Sequence, residues 1–177
     1  AGGNICYADS PEGLNREHAL FGASRCVAVS PSDTAPALVA LDATMVISSS
    51  SGQRIVSAQD YFVGPDRDIV NMTALDEGEI LTAVRLPNTW ANAEFYWEKI
   101  ADRNVWDFAL VSIAAVFRAS GSTIEDSRVA CGAVECVPRR LESVEDAIRG
   151  QQRSEALASN AGAIATDGAR PLNYNHF

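Results

Sequence analysis

The stretch that decides the fold is residues 26–43, CVAVSPSDTAPALVALDA. It opens with a short apolar run at residues 26–29 and continues through a cluster of residues that favour helix starts: Ser30, Pro31, Ser32, Asp33 and Thr34. The apolar residues that follow this cluster recur at helical spacing. The pattern predicts a strand, a tight polar turn and the first turns of a helix.

A polar turn at the start of a helix leaves several backbone N–H groups without intrahelical partners. Together with the helix dipole, these groups favour the hydroxyls or phosphates of a bound ligand. A second backbone-rich loop, Ala1-Gly2-Gly3-Asn4, lies upstream. Because every strand–helix junction needs a cap, a purely structural role for the turn stays open, and Asp33 is then only a helix N-cap.

Length and composition describe an acidic globular protein. The chain has 177 residues and a net charge of −9, which allows one or two small domains with a core. Basic residues are not clustered, which argues against nucleic acid and anionic membrane as partners, and no apolar run is long enough to span a bilayer. The opening residues resemble the interior of a longer polypeptide, so we expect a fragment. The compartment, cytoplasm or bacterial periplasm, is left open.

The rest of the chain predicts strands first and helices last. Six segments have strand-like patterns: residues 44–48, 54–58, 79–86, 94–100, 109–119 and 123–134. Residues 140–149 and a segment capped by Ser154 have helical patterns. We expect an α+β fold in two units: residues 1–70 with a cysteine loop at 6–26, and residues 71–177, an antiparallel sheet with helices on one face.

The sequence offers little side-chain chemistry. It has two histidines and no hydrolase, zinc-protease or phosphate-loop motif. We therefore predict no catalytic side chains, and a cofactor would carry any reaction. Four cysteines are present, Cys6, Cys26, Cys131 and Cys136; burial as small apolar residues explains them simply, while disulfide formation and metal ligation stay open for Cys6.

Five motifs in order carry a specific resemblance to a known family. They are residues 1–5 (AGGNI), 30–43 (SPSD and ALVALDA), 77–87 (EGEIL and VRLP), 99–109 (Lys99, Arg103 and WDFA) and 171–175 (PLNYN). The chain resembles the FAD-binding (medium) subunit of the molybdenum hydroxylases, the xanthine dehydrogenase and aldehyde oxidoreductase family. The resemblance implies the end of a vanillyl-alcohol-oxidase-type FAD-binding domain followed by a small α+β domain.

The implied function is electron transfer within a heterotrimer. A molybdopterin (large) subunit would oxidise an aldehyde or N-heterocycle and reduce an iron–sulfur (small) subunit carrying [2Fe–2S] clusters. Electrons would then pass to FAD on the flavin subunit and on to an external acceptor. The family's first glycine-rich loop is not in this sequence, so an N-terminal remainder of the flavin subunit is expected as well. The alternative is a non-catalytic assembly module that docks the partner subunits.

The resemblance assigns FAD contacts to nine residues: Gly2, Gly3, Asn4, Ile5, Ser32, Asp33, Ile80, Leu81 and Lys99. The glycine loop would hold the diphosphate region, since backbone donors suit phosphates. Ser32 and Asp33 would hold the ribityl side, since a carboxylate accepts from sugar hydroxyls. Residues 79–86 would lie against the isoalloxazine, with only one of the Ile80 and Leu81 side chains touching it. Lys99 would approach the flavin, where a cation favours the reduced, anionic form; from the sequence alone a surface position stays open.

A further resemblance concerns the cysteine loop. Residues 13–22, with Cys6 before and Cys26 after, resemble the bacterial aldehyde oxidoreductase branch, whose flavin subunit carries an additional [4Fe–4S] cluster on four cysteines. This resemblance assigns Cys6 and Cys26 as metal ligands. In that branch a longer segment with further cysteines follows the GGNI motif, whereas here Ile5 is followed directly by Cys6. Either the segment is deleted and the cluster lost, or residues are absent from this sequence; we favour the second.

Overall fold

The computed structural model describes residues 6–23 and 25–177. The loop that opens it contains a short 3₁₀ turn at Tyr7–Asp9, and a second 3₁₀ turn lies at Asn88–Trp90. The helices found in these residues are α1 (Ala35–Ala40), α2 (Ala58–Tyr61), α3 (Glu142–Ile148) and α4 (Glu155–Ala165). The seven strands are β1 (Thr44–Ser49), β2 (Gly52–Ser57), β3 (Ile80–Arg85), β4 (Glu94–Ile100), β5 (Val111–Ser120), β6 (Thr123–Gly132) and β7 (Arg139–Arg140).

The first sheet has three antiparallel strands in the order β2-β1-β3. The predicted hairpin of β1 and β2 is formed, and it closes where Ser49 lies opposite Gly52. β3 pairs with the other edge of β1, Thr44 lying opposite Arg85. The sequence predicts this strand within residues 71–177, whereas it pairs with the sheet formed by β1 and β2, because side-chain alternation predicts the faces of a strand and not its neighbour.

The strand predicted at residues 26–29 is not formed either. This segment joins neither sheet. Its backbone is paired with irregular segments instead: Val27 O accepts from Ala19 N at 2.8 Å, and Ser30 N donates to Glu135 O at 2.9 Å. The apolar run is therefore buried between loops, where single backbone hydrogen bonds replace a ladder.

The second sheet is an antiparallel meander in the order β4-β5-β6-β7. α3 and α4 cover one face, where Ala115 and Val129 of the sheet share a core with Val144 and Ile148 of α3. Ser154 caps α4 as predicted, its hydroxyl accepting from Leu157 N at 3.1 Å. This face gives the α+β arrangement expected from the sequence.

The opposite face of the second sheet receives α1. Val39 and Ala40 of α1 form one core with Met45 and Ile47 of β1 and with Ala114 of β5. The approach is close at Gly132 of β6, where an added Cβ would lie 2.6 Å from the Pro36 ring of α1. The helix that follows the polar turn is thus held between the two sheets, and this packing fixes the position of the turn.

The linker between β3 and β4 is anchored by Trp90. Its indole Nε1 donates to Asp42 Oδ2 at 2.9 Å. The guanidinium groups of Arg118 and Arg128 lie 5.0 and 5.3 Å from the ring centroid, within the range of cation–π attraction. Within residues 6–23 and 25–177, no helix has the length and hydropathy needed to cross a lipid bilayer.

Candidate functional site

In the polar turn before α1, Ser32 and Asp33 make different contacts. The sequence left two roles open for Asp33, helix capping and ligand binding. The Ser32 hydroxyl accepts from Ala35 N at 3.2 Å and so serves the helix start. The Asp33 carboxylate turns away to Lys99, whose Nζ donates to Asp33 Oδ2 at 2.7 Å. Asp33 is therefore not the helix cap.

Lys99 reaches this turn from β4, where it pairs with Ser112 on the sheet face that packs against α1. Its ammonium also donates to the Asp107 carbonyl at 2.6 Å. The Lys99 side chain is 20% exposed and the Asp33 side chain is 43% exposed. Two of the three N–H donors of the Lys99 ammonium are thus directed to these acceptors. The more exposed Asp33 carboxylate can also accept from a ligand hydroxyl.

The loop between β4 and β5 supplies the second acceptor, a role that the sequence did not predict. Asp107 Oδ2 accepts from Arg103 N at 2.9 Å, and the Arg103 guanidinium donates to the Trp106 carbonyl. Trp106 has a φ of +57° and is 93% exposed. A bulky residue in the left-handed region indicates a constrained loop, of the kind that clusters at binding sites. The spacing of Arg103 and Asp107 was the feature of the sequence from which their contact in this loop could have been predicted.

The cysteine loop is attached to the same β4–β5 loop. Arg16 donates twice to Asp102, at 2.7 and 2.8 Å. Asn15, which is buried, donates to Ala8 O and accepts from Tyr174 N. These contacts order the loop although it has little regular secondary structure.

Ile80 and Leu81 lie on β3, the edge strand of the first sheet. Ile80 is 67% exposed, whereas Leu81 packs against the core and lies opposite Ile47. The expectation that only one of the two side chains is free to meet a ligand is consistent with this arrangement. The strand-like pattern of residues 79–86 would place Leu81 and Ala83 on one face, but a bulge at Thr82 places Leu81 opposite Ile47 and Ala83 opposite Val46, on opposite faces of the sheet.

The turn before β3 is held by an ion pair that the sequence did not predict. Arg54 Nε donates to Glu79 Oε1 at 2.7 Å and its Nη2 donates to Glu79 Oε2 at 2.5 Å. The same Oε2 accepts from Asp76 N at 2.8 Å. Hydrogen bonds from the Arg54 guanidinium, and then from the Asp76 amide, lower the pKa of Glu79 to about 2. The partners are far apart in the sequence, so no local pattern could connect them.

Four of the assigned residues, Gly2, Gly3, Asn4 and Ile5, lie outside the described residues. Ser32, Asp33 and Lys99 are brought to one turn, and Ile80 and Leu81 lie on the other sheet. A flavin needs acceptors for its ribityl hydroxyls and an apolar surface for its ring. The half-exposed carboxylate with its lysine, and the exposed Ile80, have the chemistry for these two requirements.

The two assigned thiols differ in exposure. Cys6 is exposed and Cys26 is partly buried. Cys136 is buried; its thiol donates to Ala28 O at 2.8 Å, and burial raises its pKa to about 12. Burial also raises the pKa of Cys131, to about 11. Across residues 6–23 and 25–177, no three Cys, His, Asp or Glu side chains converge on a metal position, so these residues alone do not fit a cluster held by four thiolates.

Comparison with known families divides the chain into two parts. Residues 1–89 match the family described as the FAD binding domain in molybdopterin dehydrogenase. Residues 97–175 match the family described as the CO dehydrogenase flavoprotein C-terminal domain. The two matches are separated by residues 90–96, which begin with Trp90 of the linker.

Individual relatives agree with these matches. The aldehyde oxidoreductase FAD-binding subunit PaoB of Escherichia coli (strain K12) is 38% identical over 76% of this chain and 41% of its own length. The glyceraldehyde dehydrogenase medium chain of Sulfolobus acidocaldarius is 31% identical over 79% of this chain and 47% of its own. The crystal structure of quinoline 2-oxidoreductase from Pseudomonas putida 86 superposes with a TM-score of 0.70 at 31% identity, covering 81% of this chain and 47% of that one. This chain therefore spans less than half the length of each.

Proposed function

Because this chain belongs to the family of FAD-binding domains in molybdopterin dehydrogenases, we propose that it is part of the flavin-binding subunit of a molybdenum-containing oxidoreductase. The substrate class is an aldehyde or N-heterocycle. The partners are an iron–sulfur subunit with [2Fe–2S] clusters, a molybdopterin subunit and the remainder of the flavin subunit. Bound FAD would accept electrons from the iron–sulfur clusters and pass them to an external acceptor.

The observation that carries the proposal is the contact between Asp33 and Lys99. The two residues belong to different motifs, and the resemblance assigned both to one cofactor. They meet at 2.7 Å at the start of α1. The Lys99 side chain is only 20% exposed and is held by both the Asp33 carboxylate and the Asp107 carbonyl, so its charge has a fixed place beside the turn.

The proposed roles of these residues are to bind FAD and to place charge near its ring. Asp33 accepts hydrogen bonds from ribityl hydroxyls on its exposed side, next to Ser32. Lys99 keeps a positive charge near the ring, and its two protein acceptors fix where that charge lies. Ile80 offers an exposed apolar side chain to the ring, while Leu81 anchors the strand in the core.

The glycine loop completes the proposal. Gly2, Gly3, Asn4 and Ile5 would hold the FAD diphosphate through backbone N–H groups, for which small residues allow close approach.

The [4Fe–4S] cluster is a separate proposal that concerns Cys6 and Cys26. It requires two more thiolates from outside the described residues, and no step of the electron transfer proposed here depends on it. Iron and sulfide assays on the intact subunit test it with Cys26→Ser. Loss of iron supports ligation by this thiol, and undiminished iron content removes it.

The division between the two units is also a proposal. The sequence pattern predicts a boundary at residue 70. The pairing of β3 with β1 and the family matches to residues 1–89 and 97–175 support a division in the linker that follows β3.

The experiment is Asp33→Asn in the complete flavin subunit, with FAD content and FAD affinity as readouts. Loss of a hydrogen bond to a charged acceptor predicts about tenfold to a hundredfold weaker FAD binding. Glu94→Gln is the matched control, because Glu94 lies on the same strand as Lys99 and pairs with Arg153 at 2.7 Å. If Asp33→Asn and Glu94→Gln retain equal FAD, Asp33 does not hold the cofactor.

A docking role for the second unit is favoured by its exposed edge. β4 is an edge strand, and its Phe95, Trp97 and Ile100 side chains are exposed. A visible spectrum of the assembled complex separates the two functions. Flavin bands that are lost when this chain is removed support flavin binding, whereas retained bands would leave assembly as its role.

A further inference from the structure

The Ile80–Leu81 dipeptide is bracketed by two side-chain contacts, one at each end. On its N-terminal side, Glu79 is held by Arg54 through hydrogen bonds of 2.7 and 2.5 Å. On its C-terminal side, the bulge residue Thr82 is held by its hydroxyl. Ladder pairing skips Thr82 and resumes at Leu81 and Ile80, opposite Ile47 and Ser48, so the side-chain contacts on either side help to fix the register in which the dipeptide is paired.

The N-terminal contact crosses the sheet. Arg54 is on β2, β1 lies between, and Glu79 precedes β3. Arg54 Nη2 also donates to Ala74 O at 2.5 Å, and Glu79 Oε2 accepts from Asp76 N. The Arg54 guanidinium thus holds the turn before β3 together and links it to β2, on the far side of the sheet. A bidentate pair of this kind restricts geometry more than a single contact does.

The C-terminal contact links the bulge residue, which has no ladder partner, to β1. Thr82 Oγ1 donates to Val46 O at 3.1 Å and lies 2.8 Å from Ser48 Oγ. Because the Thr82 proton is directed to Val46, the Ser48 hydroxyl donates to Thr82, and Gln53 Nε2 donates in turn to Ser48 at 3.1 Å. The three side chains form a directed chain of hydrogen bonds across the sheet.

The consequence of losing this chain follows from strand geometry. Without the hydroxyl, β3 can relax by one residue to restore regular pairing. A one-residue shift exchanges the two faces of a strand. Ile80, now exposed, would turn toward the core, and Leu81, now packed, would turn outward.

We propose that Arg54, Glu79 and Thr82 are positioning residues that hold the Ile80–Leu81 backbone for contact with the flavin ring. This inference rests on the proposed function, in which Ile80 meets the isoalloxazine. Bulges beside binding sites commonly re-aim one side chain. Here the bulge keeps an apolar side chain exposed on an edge strand that regular pairing would bury.

The test uses the intact flavoprotein with Thr82→Val, which keeps the shape and removes the hydroxyl, and Thr82→Ser, which restores it. We expect Thr82→Val to weaken FAD binding by roughly tenfold and to shift the visible flavin band, with Thr82→Ser close to wild type. Hydrogen exchange at residues 79–83 should increase in Thr82→Val. Ser51→Ala is the matched control, because Ser51 forms a similar hydroxyl pair of 2.8 Å with Ser49 outside the bulge.

Arg54→Lys is the second variant, in case Thr82→Val folds poorly, because it keeps the charge and loses the bidentate contact. Ile80→Ala separates the two levels of the inference. If Ile80→Ala shifts the flavin band and neither Thr82→Val nor Arg54→Lys does, the positioning role is refuted and the flavin contact stands. If Ile80→Ala also leaves the band unchanged, the flavin contact itself is refuted.

Discussion

Glu145 of α3 is a buried carboxylate in the second unit. Its side chain is 2% exposed. It accepts from Val129 N at 3.0 Å and from Arg140 Nε and Nη2 at 3.0 and 2.8 Å. Glu145→Ala would leave a partly buried guanidinium and a strand N–H without their acceptor. Breaking a buried pair from one side costs about 3–5 kcal/mol.

The cost can be measured as a shift in thermal unfolding, followed by circular dichroism. For a chain of this size each kcal/mol moves the midpoint by about 2–4 °C, so we expect a fall of about 6–20 °C. Asp146→Ala is the matched control on the same helix, because Asp146 is exposed and its pair with Arg149 at 2.8 Å lies in solvent. That variant should change the midpoint by about 2 °C or less.

A double variant tests the reason for the loss. Arg140→Met with Glu145→Leu removes both charges and keeps apolar volume, and such replacements are often neutral or stabilising. We therefore expect the double variant to recover most of the midpoint that Glu145→Ala loses. If Glu145→Ala melts no lower than Asp146→Ala, or if the double variant melts as low as the single one, the buried pair does not stabilise the unit as argued.

Three further predictions concern packing, pH and thiols. Gly132→Ala should destabilise the folded protein by about 1–3 kcal/mol, because the new Cβ would lie 2.6 Å from the proline ring of α1. Gly162→Ala, in open space on α4, should instead stabilise it by about 1 kcal/mol. Equal urea midpoints for the two variants would contradict the packing argument. The pKa of Glu79 is lowered from 4.5 to about 2, so its stabilisation is complete above pH 4.5 and lost as the pH falls toward 2. Urea midpoints of wild type and Glu79→Gln should converge over that interval, and parallel curves would refute the linkage. Exposed Cys6 should react first with a thiol reagent at pH 8 and buried Cys136 last, as mapped by mass spectrometry; the reverse order would contradict their burial.

Local chemistry made part of the candidate site predictable. The cluster before α1 predicted a polar turn and a helix start, and the structure has them, because capping depends on neighbouring residues. The motif containing Lys99 and Asp107 lies between two predicted strands, so the local sequence pattern also predicted a strand followed by a loop there. The resemblance assigned Asp33 and Lys99 to one cofactor without predicting a contact between them, and the structure shows that contact at 2.7 Å.

Other features depended on partners far away in the sequence. The apolar pattern of residues 26–29 was consistent with a strand, but its neighbours in space are loops. β3 was predicted as a strand, but its pairing with β1 and the bulge at Thr82 were not. Arg54 gave no signal in the sequence because Glu79 reaches it across an intervening strand.

The sequence by itself determined the α+β class, the order of most helices and strands, and the residue types suited to a flavin. Only the tertiary structure decided that Ser32 accepts from Ala35 N at the start of α1 while Asp33 holds Lys99, that Ile80 stays exposed beside a bulge, and that the four cysteines do not converge within the described residues. The physical reason is the separation along the sequence between the residues that determine each feature. Turns, caps and alternation are fixed by neighbours a few residues away, whereas ion pairs, strand order and clustering depend on which distant segments the folded core brings together.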